Sequence, residues 1–252
     1  MQLDKLFDWR YWEAFTDWQV WRFLATGLET TATMAATAIV ASLALGTLFA
    51  LARISHLPLV RYPAVAYVEI IRALPVLFLI FFTYFGGARL GFVDPVIAAT
   101  MALTAYTAAV NAEIIRAGIL SIDRGEIEAA RALGLTYAQT MRLIVMPQAF
   151  RRIVPPQISQ FVTLIKDTSL AYVVGTHEFL RRMRIISGEP DGPGTLQGLF
   201  VAACTYFVIN YALSLLSRGL EARTPQEAAQ HAGAEAGRPT VEPAGQGARA
   251  GV

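Results

Sequence analysis

The sequence predicts an all-α, polytopic membrane protein with five transmembrane helices and a charged cytoplasmic loop between spans three and four. Three observations carry that reading. Of the 252 residues, 55% are hydrophobic and only 16% charged, a balance too apolar for a typical soluble domain. The apolar residues are gathered in runs, each holding at least the ~20 residues that a helix rising about 1.5 Å per residue needs to cross ~30 Å of hydrocarbon. Between two of those runs, residues 125 to 147 form the longest stretch that is both amphipathic and charged.

Residues 1 to 22 hold all four tryptophans, Trp9, Trp12, Trp18 and Trp21, interleaved with Asp4, Asp8, Glu13 and Asp17. Their spacing of three within each pair suits one face of a helix in the external membrane interface, where indoles are favoured. A soluble helix packed on the protein would carry the same pattern. No basic segment precedes an apolar one, so this is not a cleaved signal peptide.

The transmembrane domain is expected over residues 23 to 222. Span one runs from about residue 23 to 52, without a charge after Glu29, and a loop with Arg53, His56 and Arg61 follows. Span two, about 62 to 85, carries Glu69 and Arg72 and then Pro75, which interrupts the helix by removing a donor. After Arg89 and Asp94, span three runs from about 95 to 115 and ends in Glu113 and Arg116. The amphipathic loop brings Arg124, Arg131, Arg142, Arg151 and Arg152. Span four starts near Pro155 and Pro156, holds Lys166 and Asp167, and ends near Gly175; span five covers about 196 to 216, closed by Arg218.

Placing the arginine-rich loops after spans one and three in the cytoplasm sets the N-terminus outside and the C-terminus inside. Arg181, Arg182 and Arg184 then fall outside, against the rule. Residues 223 to 252 are poor in large apolar side chains and read as a disordered cytoplasmic tail, with His231 solvated in it. The single Cys204 excludes a disulfide framework or a multi-cysteine metal site, and it reads as a small packing residue.

The charged loop has strong local punctuation. Asp123 can cap a helix, with Glu126 three residues on, and Gly134 is placed to end it with positive φ. Thr136 and Gln139 form a capping box for a second helix, which Pro147 is expected to stop. Ala129 and Ala130 after Glu128 leave one face of the first helix nearly bare, open to close approach by another backbone. An ordinary surface hairpin would have many of these features.

Taken together, Glu128, Ala129, Ala130, then Gly134, Ile144 and Pro147 resemble the cytoplasmic loop of bacterial ABC importer permeases, with Met146 where that family usually has Leu. The likeness extends to Leu51-Ala52-Arg53 with Ser55, to residues 67 to 75 ending in Arg72-Ala73-Leu74-Pro75, and to Tyr84-Phe85-Gly86. Residues 112 to 119, which include Glu113 and Arg116, and Lys166-Asp167-Thr168-Ser169-Leu170 complete it. These blocks look like the permeases for polar amino acids, of the histidine, glutamine, glutamate or arginine type. One departure is Val110, where the family often has Tyr; Tyr106 and Asn111 lie near by.

The resemblance implies a coupling helix, with Glu126, Glu128, Ala129, Ala130, Leu133, Gly134 and Pro147 meeting a cytoplasmic ABC ATPase dimer. It also implies an extracytoplasmic solute-binding protein and a pair formed with itself or with a sister permease. ATP is then bound by the partner subunit, and this chain has no cofactor and no metal of its own. Membrane lipid surrounds the spans, and no nucleic acid partner is expected. The implied location is the bacterial cytoplasmic membrane.

Charges inside a span are costly unless they pair or face water, which makes them functional candidates. Counting inward from the cytoplasm at about 1.5 Å per residue puts Arg72 and Lys166 each ~15 Å deep. Glu69, Arg72, Lys166 and Asp167 are therefore expected in one polar layer, with Glu113 and Arg116 nearer the cytoplasmic mouth. This layer, with Pro75, Asn111, Glu113, Thr168 and Ser169, is the candidate pathway or gate for a zwitterionic amino acid. A pair of Glu69 and Lys166 that only holds spans together fits the same residues.

His56 and His177 stand alone in loops, and neither a phosphate-binding loop nor a His-Glu-x-x-His motif is present, so the chain does not read as an enzyme. An ion-coupled secondary transporter or channel is the alternative, and the docking loop argues against it. An intramembrane enzyme would need a catalytic set at one depth, and none is found.

Overall fold

The structure is a computed structural model that describes residues 8 to 91, 94 to 190 and 192 to 221, with side chains as far as residue 215. The expected tail at 223 to 252, Asp4 and the side chain of Arg218 lie outside the described residues. Everything described is helix or short connection.

Asp17 accepts a hydrogen bond from the Gln19 amide and opens α1 (Trp18–Ile54), a helix of 37 residues. After a short turn, α2 (Pro58–Ala73) and α3 (Val76–Arg89) follow, bent by 106° at Leu74 and Pro75, both in extended conformation. Proline has no amide hydrogen and forces the residue before it out of the helical region, so the break is written in the sequence. Asp94 caps α4 (Pro95–Leu120) through the Ile97 amide at 2.9 Å. Two short helices, α5 (Arg124–Ala132) and α6 (Tyr137–Thr140), lead through a π-turn (Met141–Val145) into α7 (Met146–Asp167). A 3-10 stretch (Thr168–Val174) ends in Gly175, and α8 (Phe179–Ile186) and α9 (Thr195–Glu221) complete the fold.

Among the described residues, α1, α4 and α9 to Leu215 are long and apolar enough to cross a membrane, and the bent pair α2 and α3 makes a fourth if it counts as one span. Expected span four falls on α7, which does not meet that measure: Arg151, Arg152, Gln157, Gln160, Lys166 and Asp167 interrupt its apolar residues. Large side chains such as Phe82, Phe85, Phe207 and Val208 point outward, as a lipid-facing surface requires.

The core forms where small residues let backbones close. Ala35, Ala38, Ser42 and Gly46 of α1 meet Ala102, Ala108, Ala109 and Ala112 of α4, all buried or nearly so. Gly46 is required: a Cβ there would stand 2.6 Å from the Cβ of Asn111. Met34, Ile80, Leu103 and Leu164 fill one cluster, and Leu74, Val76, Ile165 and Leu170 pack around it. The break at Pro75 and the end of α7 therefore lie against the same core.

The N-terminal segment is not the single interfacial helix expected. It makes two 3-10 turns, Trp9–Tyr11 and Glu13–Thr16, and Trp18 and Trp21 belong to α1. The extended backbone at Asp8 and Asp17, each capping the helical turn after it, divides the segment. Trp12 packs edge-on to Phe200 at 6.0 Å, while Trp9 and Trp18 stay exposed.

Candidate functional site

The hairpin is built from the caps its sequence announces. Asp123 accepts from the Gly125 amide at 2.7 Å and starts α5, and Glu126 in the first turn complements the helix dipole. Gly134 ends it at φ +87°, where the Gly134 amide donates to the Arg131 carbonyl and the Leu135 amide to that of Ala130. Thr136 and Gln139 close both bonds of a capping box, at 2.9 and 3.3 Å. Ala130 is buried, while Glu126, Glu128 and Ala129 face outward and Leu133 is 83% exposed. Tyr137 and Leu143 add to this open apolar surface.

Pro147 does not stop the second helix. It sits in the first turn of α7, directly after a π-turn in which the Met146 amide donates to the Met141 carbonyl. Proline is tolerated there because helix N-termini leave amides unpaired in any case.

A charge cluster gathers where α1, α2 and α4 meet. Arg53, with a side chain only 9% exposed, donates to Glu113 at 2.7 Å and to Glu69 at 2.8 Å. Arg116 donates to Glu113 from one turn along the same helix, and Arg72 approaches Glu113 at 3.9 Å. Glu113 is thus the hub, and two carboxylates face three guanidinium groups.

This differs from the layer expected from depth. Among the described residues no ion pair joins Glu69 to Lys166; Glu69 and Arg72 meet Arg53 and Glu113 instead. Counting along one span cannot show this, because Arg53 and Glu113 come from α1 and α4, which pack against α2. Lys166 is exposed and Asp167 partly buried, both at the end of α7. The break that follows is finished by two hydroxyls: Thr168 donates to the Ile165 carbonyl at 2.6 Å and Ser169 to that of Lys166 at 2.7 Å.

Asn111 is fully buried and links three helices. Its amide donates to Ser42 of α1 at 3.2 Å, and its oxygen accepts from Gln157 of α7 at 2.6 Å. Arg53 was readable as a loop cation only; nothing local indicates its partners at positions 69 and 113.

At the opposite end, Glu178 is buried and was missed, although its place ahead of α8 is a capping position. It accepts from the Leu180 and Arg181 amides at 2.8 and 2.7 Å and from the Tyr206 hydroxyl at 3.3 Å. Burial outweighs these bonds and pushes its carboxyl up to about 7. The three arginines of α8 are mostly committed internally. Arg181 donates to the Tyr172 carbonyl; Arg182 donates to those of His177 and Phe23 and lies over the Phe23 ring at 4.6 Å. Arg184 is exposed, 4.9 Å from the Tyr172 ring centre.

Comparison with known proteins bears on both regions. Residues 42 to 225 match the family described as "Binding-protein-dependent transport system inner membrane component". A probable glutamine ABC transporter permease protein of Bacillus subtilis (strain 168) is 44% identical over 203 residues, which is 80% of this chain and 93% of that protein. A glutamate/aspartate import permease protein of Escherichia coli O157:H7 is 39% identical over 213 residues, again 80% and 93%. The crystal structure of an amino acid ABC transporter with histidines aligns with TM-score 0.75 at 30% identity, covering 80% of this chain and 94% of the other.

Proposed function

Because this chain belongs to the binding-protein-dependent transport system inner membrane components, we propose how its parts divide the work of import. The chain is a multi-pass inner-membrane permease subunit of an amino acid ABC importer, a transport component and not an enzyme. Its family works with an ATPase and a binding protein.

The observation that carries the division of work is the hairpin: Glu128, Ala129 and Leu133 stand clear of the molecule on a doubly capped, rigid turn. The ATPase docks there, on Glu126, Glu128, Ala129, Leu133 and Gly134, with the buried Ala130 holding α5 in place and Pro147 setting where α7 leaves the hairpin. On this reading α7 makes the fourth crossing and α9 the fifth, the N-terminus lies outside and the C-terminus inside, and the permease pairs with itself or with a sister.

The cargo is a polar amino acid, a reading supported by relatives named for glutamine and for glutamate and aspartate. The cluster around Glu113 gates its passage. Arg72, the most exposed and loosely held of the cations, meets the α-carboxylate, and Glu69, 59% exposed, meets the α-ammonium. Lys166, Asp167 and Ser169 line the path at a second level, where α7 breaks beside the Pro75 bend; the buried Thr168 finishes that break, and Asn111 holds the helices between them.

The test is ATP-driven uptake from a mixed amino acid pool into proteoliposomes holding this chain, its sister if one is needed, the ATPase and the binding protein. Accumulation of one or a few polar amino acids only with ATP is expected. Uptake that ignores ATP would sink the reading.

A further inference from the structure

The base of the hairpin is closed by contacts between α4 and α7 that neither docking nor substrate passage uses. Ser121 follows the last turn of α4, and Arg152 reaches it from the second turn of α7. The Arg152 Nη1 donates to the Ser121 carbonyl at 2.6 Å and to its hydroxyl at 3.1 Å. A guanidinium on a helix C-terminus meets carbonyls that have no partner within the helix and carry partial negative charge. One turn earlier Gly118 lets α7 lie flat on α4, because a Cβ there would run into Ile153. Ile122, Val145 and Ala149 are buried in the same seam, and Gln148 donates to Glu126 on α5.

Only residues 121 to 123 connect α4 to α5, and they are not helical. A displacement applied at the hairpin would be absorbed in that joint unless something bridged it. We propose that Arg152, with the close approach at Gly118, is a mechanical clamp that makes α4 and α7 move as one body when the ATPase moves the hairpin. Arg152 is thus a positioning residue for coupling. Glu113 lies eight residues up α4 from Ser121, about 12 Å along the axis, so the clamp carries the displacement to the charge cluster. There α4 shifts against Arg53 of α1 and Arg72 of α2, the contacts that must exchange for a gate to open.

The proposal rests on the ATPase docking at the hairpin, and the two fail differently. The experiment uses the full complex in proteoliposomes and reads two quantities: ATPase retained on the affinity-purified permease, and amino acid taken up per ATP hydrolysed. Arg152→Ala should keep the ATPase and its hydrolysis while uptake per ATP falls about fivefold, the scale of one cation removed from a helix terminus. Arg152→Lys, which still offers a cation to the Ser121 carbonyl, should restore most of the ratio. Gly118→Val should lower it from the other side of the seam. A wild-type ratio in Arg152→Ala would overturn the clamp. Loss of the ATPase from Arg152→Ala would assign the residue to docking, and absence of both Arg152 variants from the membrane would make it a folding contact; either overturns the clamp. Gly134→Asp tests docking itself, since ATPase retained by that variant would refute docking at the hairpin whatever Arg152→Ala does.

Discussion

Arg53 at the end of α1 and Glu113 in α4, sixty positions apart in sequence, share a hydrogen-bonded ion pair of 2.7 Å. The pair fastens the first long helix to the second at the level where α2 also arrives. Removing Glu113 leaves Arg53 with Glu69 as its partner and three guanidinium groups around one carboxylate, and breaking a mostly buried pair costs more than the pair itself contributes. Glu113→Gln should therefore destabilise the folded protein by about 3 kcal/mol, the low end for a buried pair, because this one retains some solvent. Thermal unfolding of the purified protein in detergent checks this, and a midpoint equal to wild type would show that the cluster is not structural.

Arg72→Ala should separate stability from transport. Its guanidinium is 41% exposed and 3.9 Å from Glu113, so its loss should change stability by under about 1 kcal/mol. Uptake should still fall at least tenfold, on the scale of one charge-assisted hydrogen bond to substrate, about 1.5–3 kcal/mol. Unfolding midpoint and initial uptake rate, measured on the same preparation, decide it; normal uptake would remove Arg72 from the pathway.

Gly134 has φ +87° and open space around the position of a Cβ, so substitution there meets backbone strain and no clash. Gly134→Ala should cost about 1 kcal/mol, and Gly134→Asp adds a charge to the face read as the docking surface. Both should reduce the ATPase that co-purifies with the permease, Asp more than Ala. Wild-type yields from both would place the docking elsewhere.

Glu178 gives the protein a pH dependence of stability. Its carboxyl sits at about 7 when folded against an ordinary 4.5, because burial disfavours the charge. Below pH 4.5 both states are protonated and its contribution is fully present. As pH rises toward 7 the unfolded chain ionises first, and that contribution is lost. Unfolding midpoints should fall between pH 4.5 and 7, and Glu178→Gln, which keeps an acceptor for the α8 amides, should flatten the slope. An unchanged slope would assign the effect to another group.

What the sequence made legible was local. The caps at Asp123, Thr136 and Gln139, the turn at Gly134 and the break at Pro75 are each set by a few adjacent residues, and all are present. Pro147 was misread because a proline that ends one helix and a proline that begins the next look alike without the π-turn before it. Glu69 and Lys166 were placed at one level for a different reason. Counting along single spans leaves out the packing of α1 and α4 on α2, which brings Arg53 and Glu113 to Glu69 and Arg72. Arg53 was invisible as a hub because its partners come from other helices, and only packing brings them together. Polar side chains in α7, Gln157 among them, hold it to α4 and keep it below the apolar measure of the span expected there.

If α2 and α3 count as one span, the bend at Leu74 and Pro75 also governs how that span fits a bilayer. At about 1.5 Å per residue, the 16 residues of α2 reach ~24 Å and the 14 of α3 ~21 Å, each short of a ~30 Å hydrocarbon layer. Neither leg matches the membrane alone, so their combined reach depends on the angle between them. Hydrophobic mismatch that a straight helix would answer by tilting as a whole falls here on one extended joint.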